Sequence, residues 1–152
     1  MSSSVRDLFI HGNDFTETSQ YKRMVKHLSE GLSPYGCRSE DDIAHYFANL
    51  TQAYHSIKEN GYQTQQQLGK SPKDEIRIHI TEDGGLCLGS KGNHRIRMAQ
   101  LLEIQEVPCN VYGVNINWII ALSKQTKLPP HQAFLSWMKD QKPRSSSKKT
   151  SD

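Results

Sequence analysis

The sequence predicts an α+β fold: a small mixed sheet with helices packed on it. Three observations carry this expectation. Ile76, Ile78 and Ile80 alternate with Arg77, His79 and Thr81, the period-two pattern of a strand with one buried face. Asp83-Gly84 follows, a strong hairpin signal, and Leu86-Cys87-Leu88 is a short return strand. Upstream, Ile43, Tyr46, Phe47, Leu50, Tyr54 and Ile57 fall on one helical stripe, which is the signature of a helix burying one face in a core.

Taken in order, residues 1–18 are polar and give no clear element. Tyr21, Met24, Val25 and Leu28 recur at helical spacing, so a helix is expected over about 19–30, with Gly31 closing it. A loop follows over 32–36. Ser39 with Asp42 three residues on approximates a capping box, and the striped helix behind it runs about five turns to Gly61. Gln65, Gln66, Gln67 and the stretch 69–72 form a polar connection to the hairpin. After the hairpin a helix is expected from Asn93 to about Leu102, burying some of Ile96, Ala99, Leu101 and Leu102. The stretch 107–114 reads as a further strand. Pro108 has no N–H to donate, so it belongs at that strand's start or on an edge. Trp118, Ile119 and Leu122 mark a helix over about 116–124. Leu128-Pro129-Pro130 breaks it, and Phe134, Leu135 and Met138 mark another with Pro130 at its first position. From Pro143 the composition falls to Ser, Lys and Thr, which predicts a disordered tail over 143–152. The expected organisation is a single domain over 1–142 with its core at 39–118.

Bulk properties exclude several classes. The chain has 152 residues, 35% hydrophobic and 23% charged, with net charge +3. That charge is too small to argue for nucleic acid by itself. No apolar run approaches the roughly 18 residues of a membrane helix, and the first residues lack a secretory signal's apolar segment. Cys37, Cys87 and Cys109 are odd in number and widely spaced, with no Cys-x-x-Cys pair. Neither a zinc knuckle nor a dithiol site is indicated, and three reduced thiols fit a cytoplasmic protein. His11, His27, His45, His55 and His131 show no metal-ligand spacing, so no metal site is expected from protein ligands.

The chemistry concentrates at Lys91-Gly92-Asn93-His94-Arg95. A glycine turn leads into a helix start, where free N–H groups and the positive end of the helix dipole favour an anion. His94 and Arg95 follow at once, and Lys91 and Arg97 flank them.

In its context this motif resembles the ParB/sulfiredoxin-like domain family. The features are the strand 76–80, the Asp83-Gly84 turn, Leu86-Cys87-Leu88, Gly92-Asn93-His94-Arg95, Ala99, Leu101-Leu102 and Val107-Pro108. The upstream Ser56-Ile57-Lys58-Glu59-Asn60-Gly61 and Gly61-Tyr62-Gln63-Thr64-Gln65 segments and the later Trp118 also fit, so the likeness covers about 39–118. The family includes CTP-binding DNA clamps, sulfinic acid reductases, a free-serine kinase and proteins regarded as nucleases. It implies a nucleotide or phosphate held by Lys91, Gly92, Asn93, His94 and Arg95, with ATP, ADP or CTP and Mg2+ as the cofactor class.

The member activities can be weighed on the residues. Sulfinic acid reduction needs a thiolate between the glycine and the histidine, where this chain has Asn93. DNA partitioning needs a helix-turn-helix beyond the nucleotide domain, and Lys124, Lys127 and Lys139 form no recognition stripe. Phosphotransfer or hydrolysis needs phosphate donors and a carboxylate to take a proton. The resemblance puts that carboxylate just before the helix preceding the sheet, where Glu40 is chosen over Asp41 and Asp42, with His94 stabilising transition-state charge. A small-molecule acceptor would then be a partner. The alternatives are a non-enzymatic DNA-binding or regulatory module, and a ParB-like nuclease whose metal ligands would have to include Glu82 and Asp83.

Overall fold

A computed structural model describes residues 4–141. The expected disordered tail at 143–152 lies outside the described residues. The fold is α+β, with helices α1 (Ser4–Phe9), α2 (Ser19–Ser29), α3 (Glu40–Asn60), α4 (Asn93–Leu101), α5 (Ile116–Thr126) and α6 (Pro130–Asp140) and strands β1 (Ile76–Ile80), β2 (Leu86–Leu88) and β3 (Cys109–Val114). The stretch that gave no clear element from its composition contains α1 and a single 3-10 turn, Phe15–Glu17. Six residues are too short for a readable stripe.

The three strands stand in the order β2-β1-β3. β1 and β2 form an antiparallel hairpin: the Arg77 N–H donates to the Lys91 carbonyl at 3.1 Å, and the Gly89 N–H donates to the Arg77 carbonyl at 2.7 Å. β3 is an edge strand, and Pro108 sits immediately before it, where its missing donor costs nothing.

The chain divides into two compact units, one of residues 4–77 and 88–110, the other of 78–87 and 111–141. In the first unit Val5, Met24, Cys37, Ile43, Phe47, Leu50, Ile57 and Met98 form the core. Four of these come from the α3 stripe, and the Tyr46 and Tyr54 of that stripe pack against the cluster partly buried. Phe9 stacks on Tyr54 with ring centroids 3.9 Å apart, and Phe15 stacks on Phe47 at 5.3 Å.

Helix ends follow their local chemistry. After α2 the Leu32 N–H donates to the His27 carbonyl and the Gly31 N–H to the Leu28 carbonyl, both at 2.9 Å. This is a Schellman closure, and it needs Gly31 at φ 77°. At the start of α3 the Ser39 hydroxyl accepts from the Asp42 N–H at 3.1 Å. The Asp42 carboxylate accepts from the Arg38 N–H at 2.8 Å, and this bond is the main reason its pKa lies below the ordinary carboxylate value.

In the second unit the hairpin turn is closed by the Thr81 N–H donating to the Gly85 carbonyl at 2.9 Å. Asp83 accepts from the Thr81 hydroxyl at 2.5 Å and the Gly85 N–H at 3.2 Å. The Asn115 side chain caps α5, accepting from the N–H groups of Asn117 and Trp118 at 2.8 and 3.4 Å. Trp118 is buried and meets Trp137 of α6 edge-on at 5.1 Å.

Candidate functional site

The candidate site lies in the first unit, at the start of α4. Gly92 is the N-cap, at φ 89° and ψ 8°. A cap without a side chain cannot close the helix, so the first-turn N–H groups of Asn93, His94 and Arg95 have no side-chain cap. Asn93 therefore stands at the first helical position and not at the cap.

Gly92 is also explained by packing. A Cβ built there would lie 2.7 Å from both Cα and Cγ1 of Ile76. The close approach that the glycine permits is to β1.

The successive residues of α4 diverge. Asn93, His94 and Arg97 line a cleft of about 490 Å³ together with Ser4, Gln20, Arg23, His27 and Tyr35. Residues three apart share a helix side, whereas neighbours point about 100° apart. Arg95 accordingly faces elsewhere, toward a second cleft of about 590 Å³ whose walls include Asn49, Gln52, Tyr62 and Lys70. The expected group of five is thus divided, with Asn93 and His94 in one cleft and Arg95 in the other.

Arg95 is held by a buried carboxylate. Its Nη1 donates to Glu75 Oε1 at 2.9 Å, and its Nη2 donates to the Asp74 carbonyl. Glu75 is 5% exposed. It also accepts from the Tyr62 hydroxyl at 2.5 Å, the Ile76 N–H at 3.1 Å and, through Oε2, the Gln65 N–H at 2.9 Å. Burial, reinforced by the bond to Glu75, pushes the Tyr62 phenol well above its ordinary pKa. The role found for Arg95 is neutralising Glu75, which joins the 62–65 loop to α4.

Lys91 is likewise engaged, with its Nζ 2.5 Å from Asp74 Oδ1 and both side chains about half exposed. Such a pair contributes little stability, although Lys91 is the main reason the Asp74 carboxyl lies below its usual range.

His94 is half-buried and tied into a polar chain. The Ser4 hydroxyl donates to Gln20 Oε1, and Gln20 Nε2 donates to the Tyr46 hydroxyl at 2.8 Å. That hydroxyl lies 3.4 Å from both ring nitrogens of His94, and His94 Nε2 lies 3.3 Å from Gln20 Oε1. In a neutral ring protonated on Nε2, that N–H donates to Gln20 Oε1 and the bare Nδ1 accepts from the Tyr46 hydroxyl. Burial lowers the His94 pKa and pushes the Tyr46 phenol up to about 12.

Glu40 lies in the first turn of α3 and accepts from the Tyr21 hydroxyl at 3.1 Å. It is exposed and is not among the residues lining the cleft with His94. In the second unit, Asp83 is engaged in its own turn and Glu82 accepts from Asn117 Nδ2 at 2.9 Å. His79 packs edge-on against Tyr112 at 5.9 Å.

Sequence reasoning did not find Arg23, His27, Gln20 or Tyr35 as lining residues. Arg23 and His27 stand four apart on α2, a spacing that puts them on one side, but which side meets α4 is a matter of docking. Arg97 was legible as a flanking cation, and its three-residue offset from His94 is the signal that groups them.

Compared with protein-family models, curated proteins and solved structures, the chain matches none.

Proposed function

We propose that this chain binds the phosphate of a nucleotide in the cleft at the start of α4. The observation that carries this reading is the composition of the lining. Two arginines, two histidines and an uncapped helix start line one cleft, and no carboxylate does among the described residues. Arg23 and Arg97 are exposed, and neither is in an ion pair among the described residues. Their guanidiniums can form charge-assisted bonds to phosphate oxygens, and the Asn93 and His94 N–H groups add donors and the helix dipole. The ParB/sulfiredoxin-like resemblance supports ATP, ADP or CTP as the ligand class.

Mg2+ enters this reading only with a di- or triphosphate, because the described lining offers it no carboxylate. Phosphotransfer to a small-molecule acceptor or hydrolysis would need a base in the cleft. With Glu40 outside the lining, the reading stops at binding. No helix of the described residues is long and apolar enough to cross a membrane.

Calorimetric titration of the full chain with ATP, ADP and CTP at low salt, with and without Mg2+, tests this. Binding is expected, and Arg23→Gln and Arg97→Gln should each weaken it roughly tenfold without moving the thermal midpoint, as loss of a hydrogen bond to a charged group does. Absence of binding by all three nucleotides would sink the reading. Salt-dependent binding of duplex DNA without nucleotide would favour the DNA-binding or regulatory module instead.

The site should also respond to pH. Burial holds the His94 pKa below its ordinary value of 6.5, so the ring is neutral at pH 7. A neighbouring anion favours the charged ring and raises that pKa. Binding then takes up a proton, and affinity rises as pH falls through the pKa of the ligand-bound ring. Sulfate is the suitable probe because it does not itself titrate there. Sulfate affinity should increase between pH 8 and pH 6 in the parent chain and increase less in His94→Gln, where His27 is the one histidine left in the described lining; an equal rise in both would remove His94 from the site.

A further inference from the structure

We infer that Tyr35 is the stacking platform for the base of a free mononucleotide whose phosphate lies against Arg23 and Arg97; this rests on the phosphate reading above. Tyr35 lies in the loop between α2 and α3 and lines the same cleft as His94, Arg23 and Arg97. Its backbone is left-handed, at φ 54° and ψ 22°, a conformation that bulky side chains avoid. The residue is nevertheless 68% exposed, so little burial offsets that conformation. Non-glycine residues held this way concentrate at ligand clamps.

The ring is positioned, not loose. Tyr46 lies beside it with centroids 5.1 Å apart and planes at 31°, and His94 lies at 6.5 Å. Tyr46 is itself fixed by Gln20. One side of the Tyr35 ring is therefore supported while most of its surface remains open to a ligand.

An open aromatic face beside two guanidiniums fits a ligand with a planar base at one end and a phosphate at the other. Every nucleobase presents a π-face, so stacking tolerates different bases. The cleft volume of about 490 Å³ falls within the range of small-ligand sites.

The test compares AMP with ribose 5-phosphate, which differ only by the base, in calorimetric titrations of the full chain. AMP should bind roughly tenfold tighter or more, the usual scale of one base–aromatic stack. Tyr35→Ala should abolish that preference, and Tyr35→Phe should retain it. Tyr35→Gly relieves the backbone and should raise the thermal midpoint yet still lose the preference, which separates stacking from folding. Equal binding of AMP and ribose 5-phosphate to the parent chain, or a preference that survives Tyr35→Ala, overturns the platform and leaves the phosphate site standing. If neither compound binds, the phosphate reading falls and this inference with it. An oligothymidylate that binds far tighter than AMP, and tighter with length, would place the base on a nucleic-acid strand and overturn the free-nucleotide assignment.

Discussion

Arg95→Ala is expected to destabilise the chain by about 3–5 kcal/mol, because it leaves a buried carboxylate without its counter-charge. Glu75 is 5% exposed and Arg95 is the cation bonded to it, at 2.9 Å. The bonds from Tyr62, Gln65 and Ile76 would remain, but none of them brings a positive charge. A urea titration of parent and variant measures the loss. Glu75→Gln in the Arg95→Ala background should recover part of it, since a neutral amide is cheaper to bury than a carboxylate. A double-mutant cycle over the two positions should show coupling well above 1 kcal/mol. A loss below about 1 kcal/mol for Arg95→Ala would mean that Glu75 is solvated or protonated.

Arg95 stands next to His94 in the motif, so it is the natural residue to remove when testing a phosphate site. Its removal would weaken ligand binding by loosening the first unit, whatever the ligand does. Arg23 and Arg97 are the informative substitutions because both are exposed and neither supports a buried acid.

Gly92→Ala is the second large effect expected, a loss of about 2–5 kcal/mol. A left-handed backbone costs a side chain about 1–2 kcal/mol, and crowding a packed position adds about 1–3 kcal/mol. The crowding partner is β1 itself, since a Cβ at Gly92 would sit 2.7 Å from the Ile76 Cα. Backbone cannot rotate away as a flexible side chain would. Gly92→Asn separates the two contributions. Asparagine tolerates the left-handed region well, yet carries the same Cβ. It should be nearly as destabilised as the alanine variant, as read from thermal or urea midpoints. Full recovery in Gly92→Asn would show that φ alone demands the glycine.

Local patterns were enough for most elements. The stripe from Ile43 to Ile57 predicted α3, and four of its six residues form part of the first unit's core. The alternation of Ile76, Ile78 and Ile80 predicted β1, whose Ile76 and Ile80 are buried. Gly31, Ser39 and Pro130 marked helix ends at or within a residue of the observed ones. These are short-range effects, in which a side chain competes for nearby backbone groups or an apolar period matches a backbone period. The striped helix extends over 21 residues, nearly six turns, slightly longer than expected. The strand expected from 107 begins at Cys109, two residues late, after the proline that cannot join a ladder.

The site was legible only as a segment of chain. Adjacent residues in sequence read as one group, and on that basis Lys91 to Arg95 formed a single anion site. A helix turns neighbours apart, so His94 went to one cleft and Arg95 to another. The carboxylate that claims Arg95 is Glu75, twenty residues earlier, and nothing local marks it as buried.

Local residue patterns are enough to say where helices and strands lie, that the class is α+β, and that a glycine introduces a helix start carrying cations. Those follow from interactions spanning a few residues. Which cations face which cleft, the claim of β1 on the glycine, and the part of α2 and the Tyr35 loop in the cleft that His94 lines all come from long-range packing. Those depend on packing between segments far apart in the chain, where burial and charge pairing, and not spacing, determine what each side chain does.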